Sequence, residues 1–257
     1  MSTTAVPGSD PDPTTAPDRA EAAGDLTALD ALVATCRACP RLVAWREHVA
    51  EVKRASFRDD EYWARPVPGF GDPHAPVLVV GLAPAAHGAN RTGRMFTGDR
   101  SGDFLFASMH RVGLANQPTS VHAGDGLRLT GVRVTAPVRC APPDNAPTPA
   151  ERRRCAPFLG RELMLVDPAV VVVLGGFGWT ALLASLAEQG WAVPRPRPAF
   201  AHGAEVVLRH SSDPDRSLTL LGCFHVSQQN TFTGRLTPAM LDAVLLRAVE
   251  LARVSAP

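Results

Sequence analysis

The sequence predicts an α/β fold, a three-layer α/β/α sandwich around a mainly parallel sheet of four strands. Two observations lead to this prediction: four short, almost wholly apolar segments recur along the chain, and helical patterns separate them. Strands that are apolar on both faces are typical of a parallel sheet that helices cover on both sides. With 257 residues, 45% of them hydrophobic, the chain can bury such a core in one domain.

Each predicted strand is short, rich in β-branched residues and continuously apolar, as expected for a strand at the centre of a sheet. The four segments are residues 75–82 (APVLVVGL), 132–138 (VRVTAPV), 169–175 (AVVVVLG) and 217–224 (SLTLLGCF). Ligands of such folds bind at the carboxyl ends of the strands, so the loops that follow these segments are the candidate functional loops.

Capping residues mark where the predicted helices begin. Asp25 can cap the first helix, Thr148 opens a capping box, and Thr237 precedes a proline at the start of the last helix. The helix after the first strand can begin at either Asp99 or Ser101. These signals give the α-layers of the sandwich well-defined starting points.

Two segments carry no strand or helix pattern. Residues 1–24 are rich in Pro, Thr, Ala and Asp, lack large apolar side chains beyond a single valine, and are expected to be a disordered tail. Residues 194–215 are rich in Pro, Arg and His and are expected to be a long loop or an insertion. Residues 25–257 then form a single catalytic domain.

The net charge does not indicate which partner the protein binds, whereas the hydropathy pattern indicates where it is located. The net charge of +1 neither supports nor excludes nucleic acid, because binding depends on a local basic face. The N-terminus lacks the basic and apolar regions of a secretory signal, and no apolar run approaches the length of a membrane span. The expected location is the cytoplasm, without a membrane partner.

Four of the five cysteines are placed as candidate metal ligands. Cys36 and Cys39 form a C-x-x-C pair at the end of a predicted helix, Cys140 follows the second strand, and Cys155 lies in the helix that begins after Thr148. Four thiolates suit a zinc ion and a [4Fe-4S] cluster equally well, and buried reduced cysteines are the structural alternative. In a cytoplasmic chain a disulfide framework is disfavoured.

The loop after the first strand, residues 81–99 (GLAPAAHGANRTGRMFTGD), is dense in small residues. Small side chains such as Gly81 and Ala83 let backbone amides approach a ligand closely. The loop contains neither of the glycine-rich patterns that bind mono- or dinucleotides, so an ordinary phosphate-binding loop is disfavoured.

The loop after the fourth strand, residues 224–237 (FHVSQQNTFTGRLT), is rich in polar side chains. His225 and Asn230 offer hydrogen-bond donors, and Arg235 could grip a phosphate. A lone histidine after a strand is usually structural, but the polar run behind this one favours a functional site.

Together these motifs resemble those of the uracil-DNA glycosylase superfamily, and specifically its family 5, the prokaryotic type B enzymes with an iron-sulfur cluster. The resemblance covers residues 26–251 and depends on residues 81–99, on residues 134–148 (VTAPVRCAPPDNAPT), on residues 225–237 and on the order of the four cysteines. It implies a [4Fe-4S] cluster at Cys36, Cys39, Cys140 and Cys155, in preference to zinc.

The resemblance also implies roles for individual residues, because these enzymes rotate a nucleotide out of the DNA stack before cleaving its N-glycosidic bond. Asp99 matches the carboxylate that stabilises the sugar cation or orients water, although it could also be only a helix cap. His225 matches the histidine that donates to the pyrimidine O2. Phe96 matches the aromatic residue that stacks on the extruded base. Asn145 matches an asparagine near the sugar and the water.

Further residues follow from the same comparison. Asn230 and Arg235 belong to the loop expected to enter the DNA and hold its backbone. Ala83 stands where classical uracil enzymes carry a water-activating Asp, so Asp99 or Asn145 must substitute. Ala136 stands where family 4 enzymes carry a base-reading Asn, so hypoxanthine and xanthine should be rejected less strongly.

The leading hypothesis is therefore a monofunctional, monomeric glycosylase of broad specificity that acts on double- and single-stranded DNA containing deaminated bases and leaves an abasic site. The main alternative is a protein that binds uracil-containing or abasic DNA with little turnover, or captures it covalently. A third possibility is an α/β nucleotide enzyme with a structural zinc. Multiple turnover on a duplex with one uracil separates the first two.

Overall fold

A sheet of six strands forms the centre of the fold in the computed structural model, which describes residues 12–254. Its strands are β1 (Phe70–Gly71), β2 (Val77–Val80), β3 (Val132–Thr135), β4 (Val170–Leu174), β5 (Glu205–His210) and β6 (Asp213–Cys223). They lie in the order β1-β3-β2-β4-β6-β5. The four inner strands pair in parallel and both edge strands pair antiparallel. The α/β prediction is confirmed, but the sheet is mixed and six-stranded rather than four-stranded.

The two edge strands were not predicted, because the prediction depended on continuous apolar segments and a strand at the edge of a sheet does not need one. Strand β1 is only two residues long. Strand β5 is largely solvent-exposed, with one fully buried side chain, Leu208. It lies within residues 194–215, so the expected loop is wrong for this part of the chain: it forms a hairpin with an extended β6.

Helices cover both faces of the sheet. The α-helices are α1 (Leu26–Thr35), α2 (Pro40–Val52), α3 (Ala89–Thr92), α4 (Arg100–Arg111), α5 (Pro149–Val166), α6 (Gly176–Glu188), α7 (Gln228–Phe232) and α8 (Pro238–Val254). Helices α4 and α8 bury apolar side chains against one face, and α5 and α6 against the other. Because β2, β3 and β4 are buried throughout, the sheet is the middle layer of the sandwich.

The predicted helix starts are confirmed by hydrogen bonds. The Asp25 carboxylate accepts from the backbone N–H of Ala28 at 2.8 Å. In the capping box, the Thr148 hydroxyl accepts from the N–H of Glu151 at 3.2 Å, and the Glu151 carboxylate accepts from the N–H of Thr148 at 2.7 Å. Of the two candidates for the start of α4, Asp99 is the cap.

The N-terminal segment differs from its prediction. Pro13–Ala22 forms a 3₁₀ helix that packs against α1 and α5, with Ala16 and Ala20 fully buried. Arg154 of α5 donates two hydrogen bonds to the Asp18 carboxylate. The expected tail is therefore wrong over residues 12–24, because small side chains and an arginine clamp replace the large apolar anchors. Residues 1–11 lie outside the described part of the chain.

None of the helices described between residues 12 and 254 is long and apolar enough to cross a membrane. The parallel strands β2, β3, β4 and β6 all end at the same edge of the sheet, where Gly81, Ala136, Gly175 and His225 follow closely. The loops that carry all three predicted motifs begin at this edge.

Candidate active site

An open cleft of about 590 Å³ lies at the carboxyl edge of the sheet. The loops that follow β2, β3 and β6 form its walls. Six residues singled out from the sequence line it: Ala83, Phe96, Asp99, Ala136, Asn145 and His225. The structure thus brings together side chains from all three sequence motifs.

Asp99 is both the cap of α4 and part of the cleft wall. Its Oδ1 accepts from the backbone N–H of Gly102 at 3.0 Å. Burial raises the pKa of Asp99, against the opposing effect of backbone N–H donors from Gly102 and Ser101. The cap and cleft positions predicted as alternatives hold at once, and the capped carboxylate is poorly hydrated.

Gly88 makes room for this carboxylate. A Cβ at Gly88 would lie 1.9 Å from Oδ2 of Asp99, closer than any real contact. The Asp99 side chain is therefore held between the first turn of α4 and the backbone of the preceding loop. Gly88 belongs to the loop of small residues after β2. The group that it approaches closely is the protein's own Asp99 carboxylate.

Phe96 presents its ring to the cleft from a strained backbone. Its φ of 53° lies in the left-handed region, which is unusual for an aromatic residue. The ring lies against Gly81, where a Cβ would be 2.6 Å from Cζ of Phe96. Gly81 is needed here because only a glycine leaves space for the ring.

His225 follows β6 and faces the cleft as a neutral imidazole. Burial lowers the pKa of His225 to about 4, so the ring is uncharged at neutral pH. Its centroid is 6.5 Å from that of the Phe96 ring, with a tilt of 37° between the planes. His225 therefore presents a hydrogen-bond donor to the same cleft to which Phe96 presents its aromatic face.

Asn145 reaches the cleft from the loop after β3. It ends a short 3₁₀ turn, Pro143–Asn145, and both Asp144 and Asn145 have a φ of 53°. Its carboxamide has no hydrogen-bond partner among residues 12–254. The side chain is exposed and available to a ligand.

Asn230 and Arg235 do not line the cleft. Asn230 donates through Nδ2 to the carbonyl oxygen of His225 at 2.8 Å, which ties α7 to the residue after β6. The Arg235 guanidinium stacks over the ring of Phe224, 4.6 Å from its centroid. Both side chains support the loop that carries His225.

The cleft also contains residues that sequence reasoning missed. Ser101, Ser227, Gln228 and Gln229 line it together with the predicted residues. Ser227, Gln228 and Gln229 lie in the polar motif that follows β6. Their position next to His225 in sequence could have indicated that they line the same cleft.

A second groove of about 430 Å³ opens beside the cleft and shares Asp99 and Asn145 with it. Arg54 and Arg100 also line this groove. Within the described part of the chain, neither guanidinium is hydrogen-bonded or ion-paired. The groove therefore presents two exposed, unpaired positive charges next to the cleft.

The four predicted cysteine ligands meet in a separate cavity behind the cleft. Cys36 ends α1, Cys39 precedes α2, Cys140 follows β3, Cys155 lies on α5, and all four line one cavity. Ala83 of the cleft packs against the same apolar cluster as Cys140. The cysteine cavity and the cleft are thus neighbours on two sides of one loop.

The chemistry of this donor set fits a thiolate-ligated group. Burial raises the pKa of Cys39 to about 11 and that of Cys140 to about 12, so binding a cation there would release protons. Between residues 12 and 254, no three His, Cys, Asp or Glu side chains are arranged so that they could hold a metal ion. Cys223 is buried in the core, as expected for a structural cysteine.

Comparison with known proteins gives a family. Residues 68–248 match the model of the uracil DNA glycosylase superfamily. This region contains β1 to β6 and all the residues predicted to act on the base and the sugar.

Individual relatives are similar over most of the chain. The type-5 uracil-DNA glycosylase of Mycobacterium tuberculosis is 55% identical over 234 residues, which cover 90% of this chain and 84% of that protein. The type-5 enzyme of Mycobacterium leprae is 54% identical, covering 90% and 98%. That of Thermus thermophilus is 53% identical, covering 84% and 94%.

Proposed function

The chain belongs to the type-5 group of the uracil-DNA glycosylase superfamily, and we propose that it excises uracil from DNA by hydrolysing the N-glycosidic bond. The observation that carries this proposal is the cleft, in which Asp99, Asn145 and neutral His225 surround one space beside the Phe96 ring. The type-5 relatives are named for this activity.

Each side chain has a place in the reaction. As the bond between C1′ and the base nitrogen breaks, its electron pair moves to the base and positive charge develops on the sugar. The His225 imidazole donates to the base oxygen that gains negative charge, and the Asp99 carboxylate stabilises the sugar cation. Water then adds to C1′, and the proton it releases neutralises the departing base anion, which leaves an abasic site and the free base.

Phe96 and Asn145 complete the site. The exposed face of Phe96 stacks on the extruded base, and the free carboxamide of Asn145 binds the sugar or the attacking water. The chain has one lysine, Lys53, whose Nζ donates to the carbonyl oxygens of Arg58 and Asp60. We therefore expect no Schiff base and no strand cleavage.

The proposed specificity is broad and includes hypoxanthine and xanthine. Ala136, 1% exposed, contributes only a methyl group where a base-reading side chain could stand. A wall without a directional hydrogen-bonding group discriminates weakly between bases. Ala136→Asn should lower the ratio of hypoxanthine to uracil excision by about tenfold.

A [4Fe-4S] cluster held by Cys36, Cys39, Cys140 and Cys155 is the proposed cofactor. When bound, it would cross-link the connection between α1 and α2 to the loop after β3 and to α5. The proposed partner is double- or single-stranded DNA, bound by a cytoplasmic monomer.

The experiment uses labelled duplexes that contain one uracil, one hypoxanthine or one thymine, followed by alkali to reveal abasic sites. Wild type should turn over many times on uracil. Asp99→Asn keeps an oxygen for the Gly102 cap and should lower kcat about 100-fold or more. Asp103→Asn is the matched control, because this carboxylate is on the same helix and lines only the neighbouring groove.

The outcomes separate the proposals. Binding of uracil-containing DNA without multiple turnover would favour the DNA-binding alternative. Cleavage of uracil alone would overturn broad specificity and leave the glycosylase proposal intact. Nicking without alkali would contradict the monofunctional mechanism.

A further inference from the structure

Two buried arginines adjoin the cysteine cavity. Arg46 on α2 and Arg139 after β3 are 2% and 1% exposed. Arg46 donates through Nη1 to Sγ of Cys140 at 3.0 Å and through Nη2 to the carbonyl oxygen of Cys36 at 3.2 Å. Arg139 lines the cavity itself. Each guanidinium is therefore fixed next to the proposed cluster ligands.

Both guanidiniums have hydrogen-bond donors left over. Nε of Arg46 and both Nε and Nη1 of Arg139 are buried and have no acceptor among residues 12–254. A buried charged donor without an acceptor costs considerably more than a neutral one. Such orphaned groups point to a partner that the polypeptide does not supply.

The charges around the cavity are also unbalanced. Arg139 and Arg133 share the buried Glu162 carboxylate, and Arg133 pairs in addition with Asp30. These two arginines and two carboxylates compensate one another. Arg46 forms no ion pair with any described carboxylate, although it is equally buried. One buried positive charge beside Cys140 thus lacks a counter-anion.

We propose that Arg46, assisted by Arg139, is the counter-charge and hydrogen-bond donor to an iron-sulfur cluster held by the four cysteines. The inference rests on the cofactor in the proposed function and adds a role for two arginines. Four thiolates make such a cluster anionic, which supplies the missing negative charge at the place where the donors are unsatisfied. Positive charge and N–H···S bonds raise a cluster's reduction potential and help to retain it.

The test uses the purified full-length holoprotein. Arg46→Met removes the charge and the donors while keeping an unbranched apolar stem. Iron should be lost to a chelator about tenfold faster than from wild type. The midpoint potential of the cluster that remains should become more negative, and the Fe–S(Cys) stretching bands in resonance Raman spectra should shift. Arg46→Lys keeps the charge but lacks the two donor nitrogens of the guanidinium. Its rate of iron loss and its midpoint potential should lie between those of wild type and Arg46→Met.

Arg37→Met is the matched control. Arg37 lies between two of the cysteines in sequence, but its side chain is about half exposed and pairs with Glu47. Its removal should leave the potential and the rate of iron loss unchanged. If Arg46→Met does not fold, the comparison of Arg46→Lys with wild type and with Arg37→Met decides in its place.

The outcomes distinguish the two levels of the proposal. Wild type without iron and acid-labile sulfide would refute the cofactor. Wild type with a cluster, and an Arg46→Met variant with unchanged potential and Raman bands, would refute the role of Arg46. Faster iron loss at an unchanged potential would reduce Arg46 to a packing residue and would also overturn the inference.

Discussion

At the scale of single residues, burial acts in opposite directions on the two titratable groups of the cleft. It lowers the pKa of His225 to about 4 and raises the pKa of Asp99 above that of an ordinary carboxyl. His225 is therefore neutral across the physiological range. The ionised Asp99 that the proposed reaction needs is present above its raised pKa and is lost as the pH falls through it.

The pH dependence of kcat/KM should reflect these shifts. We expect a flat profile around neutrality, no inflection near the ordinary histidine pKa of about 6.5, and a decline at acid pH that begins above the ordinary carboxyl value of about 4. Asp99→Asn should remove this acid limb from the residual activity. An inflection near neutrality that disappears in His225→Gln would contradict a buried neutral imidazole.

Gly88 allows a second residue-scale prediction. Gly88→Ala places a Cβ where Oδ2 of Asp99 now lies, so the carboxylate must move away from its position. A displacement of this size at a reacting group should lower kcat by about 100-fold. Gly24→Ala is the control, because no atom of residues 12–254 lies within 4 Å of a Cβ there. Equal kcat values for the two variants would show that the Asp99 position is not critical.

These residues also show what sequence alone could provide. Asp99, Asn145 and His225 were predicted because they lie in motifs that resemble those of a known family and match its functional residues. Gly88 lies in the same motif, but its role depends on a contact with a side chain eleven positions later. A packing distance of that kind has no signature in composition or periodicity.

At the scale of secondary structure, the short helix α7 positions the histidine that precedes it. The hydrogen bond from Asn230 Nδ2 to the His225 carbonyl oxygen closes the loop. Asn230→Asp keeps the shape but replaces the donor with an acceptor that repels this carbonyl. We expect kcat to fall about tenfold with a small change in KM, because the loss of a buried hydrogen bond and the new repulsion together exceed about 1 kcal/mol.

Thr233→Ala is the control for this element. Its hydroxyl donates to the carbonyl oxygens of Gln229 at 2.6 Å and of Asn230 at 3.4 Å, so the substitution loosens the end of the same helix but leaves the bond from Asn230 Nδ2 to His225 in place. A loss of activity as large as that of Asn230→Asp would mean that general loosening of α7 explains both effects.

Elements with a strong local pattern were predictable, and those that depend on their neighbours were not. The inner strands and the capping box at Thr148 follow from apolar runs and from cap chemistry. Strand β5 is exposed on one side and exists because β6 extends alongside it. The 3₁₀ helix Pro13–Ala22 begins at a local Asp12 cap but depends on packing against α1 and α5, which its composition did not indicate.

At the scale of the whole molecule, one loop separates the two chemical centres. Residues after β2 line the cleft on one side and pack near Cys140 on the other.

Glu162 joins the cysteine side to the sheet, since it accepts from Thr135 at 2.6 Å as well as from Arg139. Glu162→Gln should destabilise the fold by about 3–5 kcal/mol, because it leaves the buried Arg139 guanidinium without a carboxylate and the buried Arg133 guanidinium with Asp30 alone. Chemical denaturation compared with the exposed pair variant Glu205→Gln measures this.

The groove beside the cleft is the proposed contact surface for the DNA backbone. Arg54 and Arg100 are exposed and line the groove beside the cleft, and we propose that they contact the backbone of the strand whose base enters the cleft. Each arginine that neutralises a phosphate contributes about one to the slope of log K against log salt. The double variant Arg54→Gln/Arg100→Gln should therefore bind abasic duplex more weakly and lower the slope by about two, as measured by fluorescence anisotropy over a salt series. Arg58→Gln is the control, because this nearby exposed arginine does not line the groove. An unchanged slope in the double variant, or an equal decrease in the control, would place the DNA backbone elsewhere on the surface.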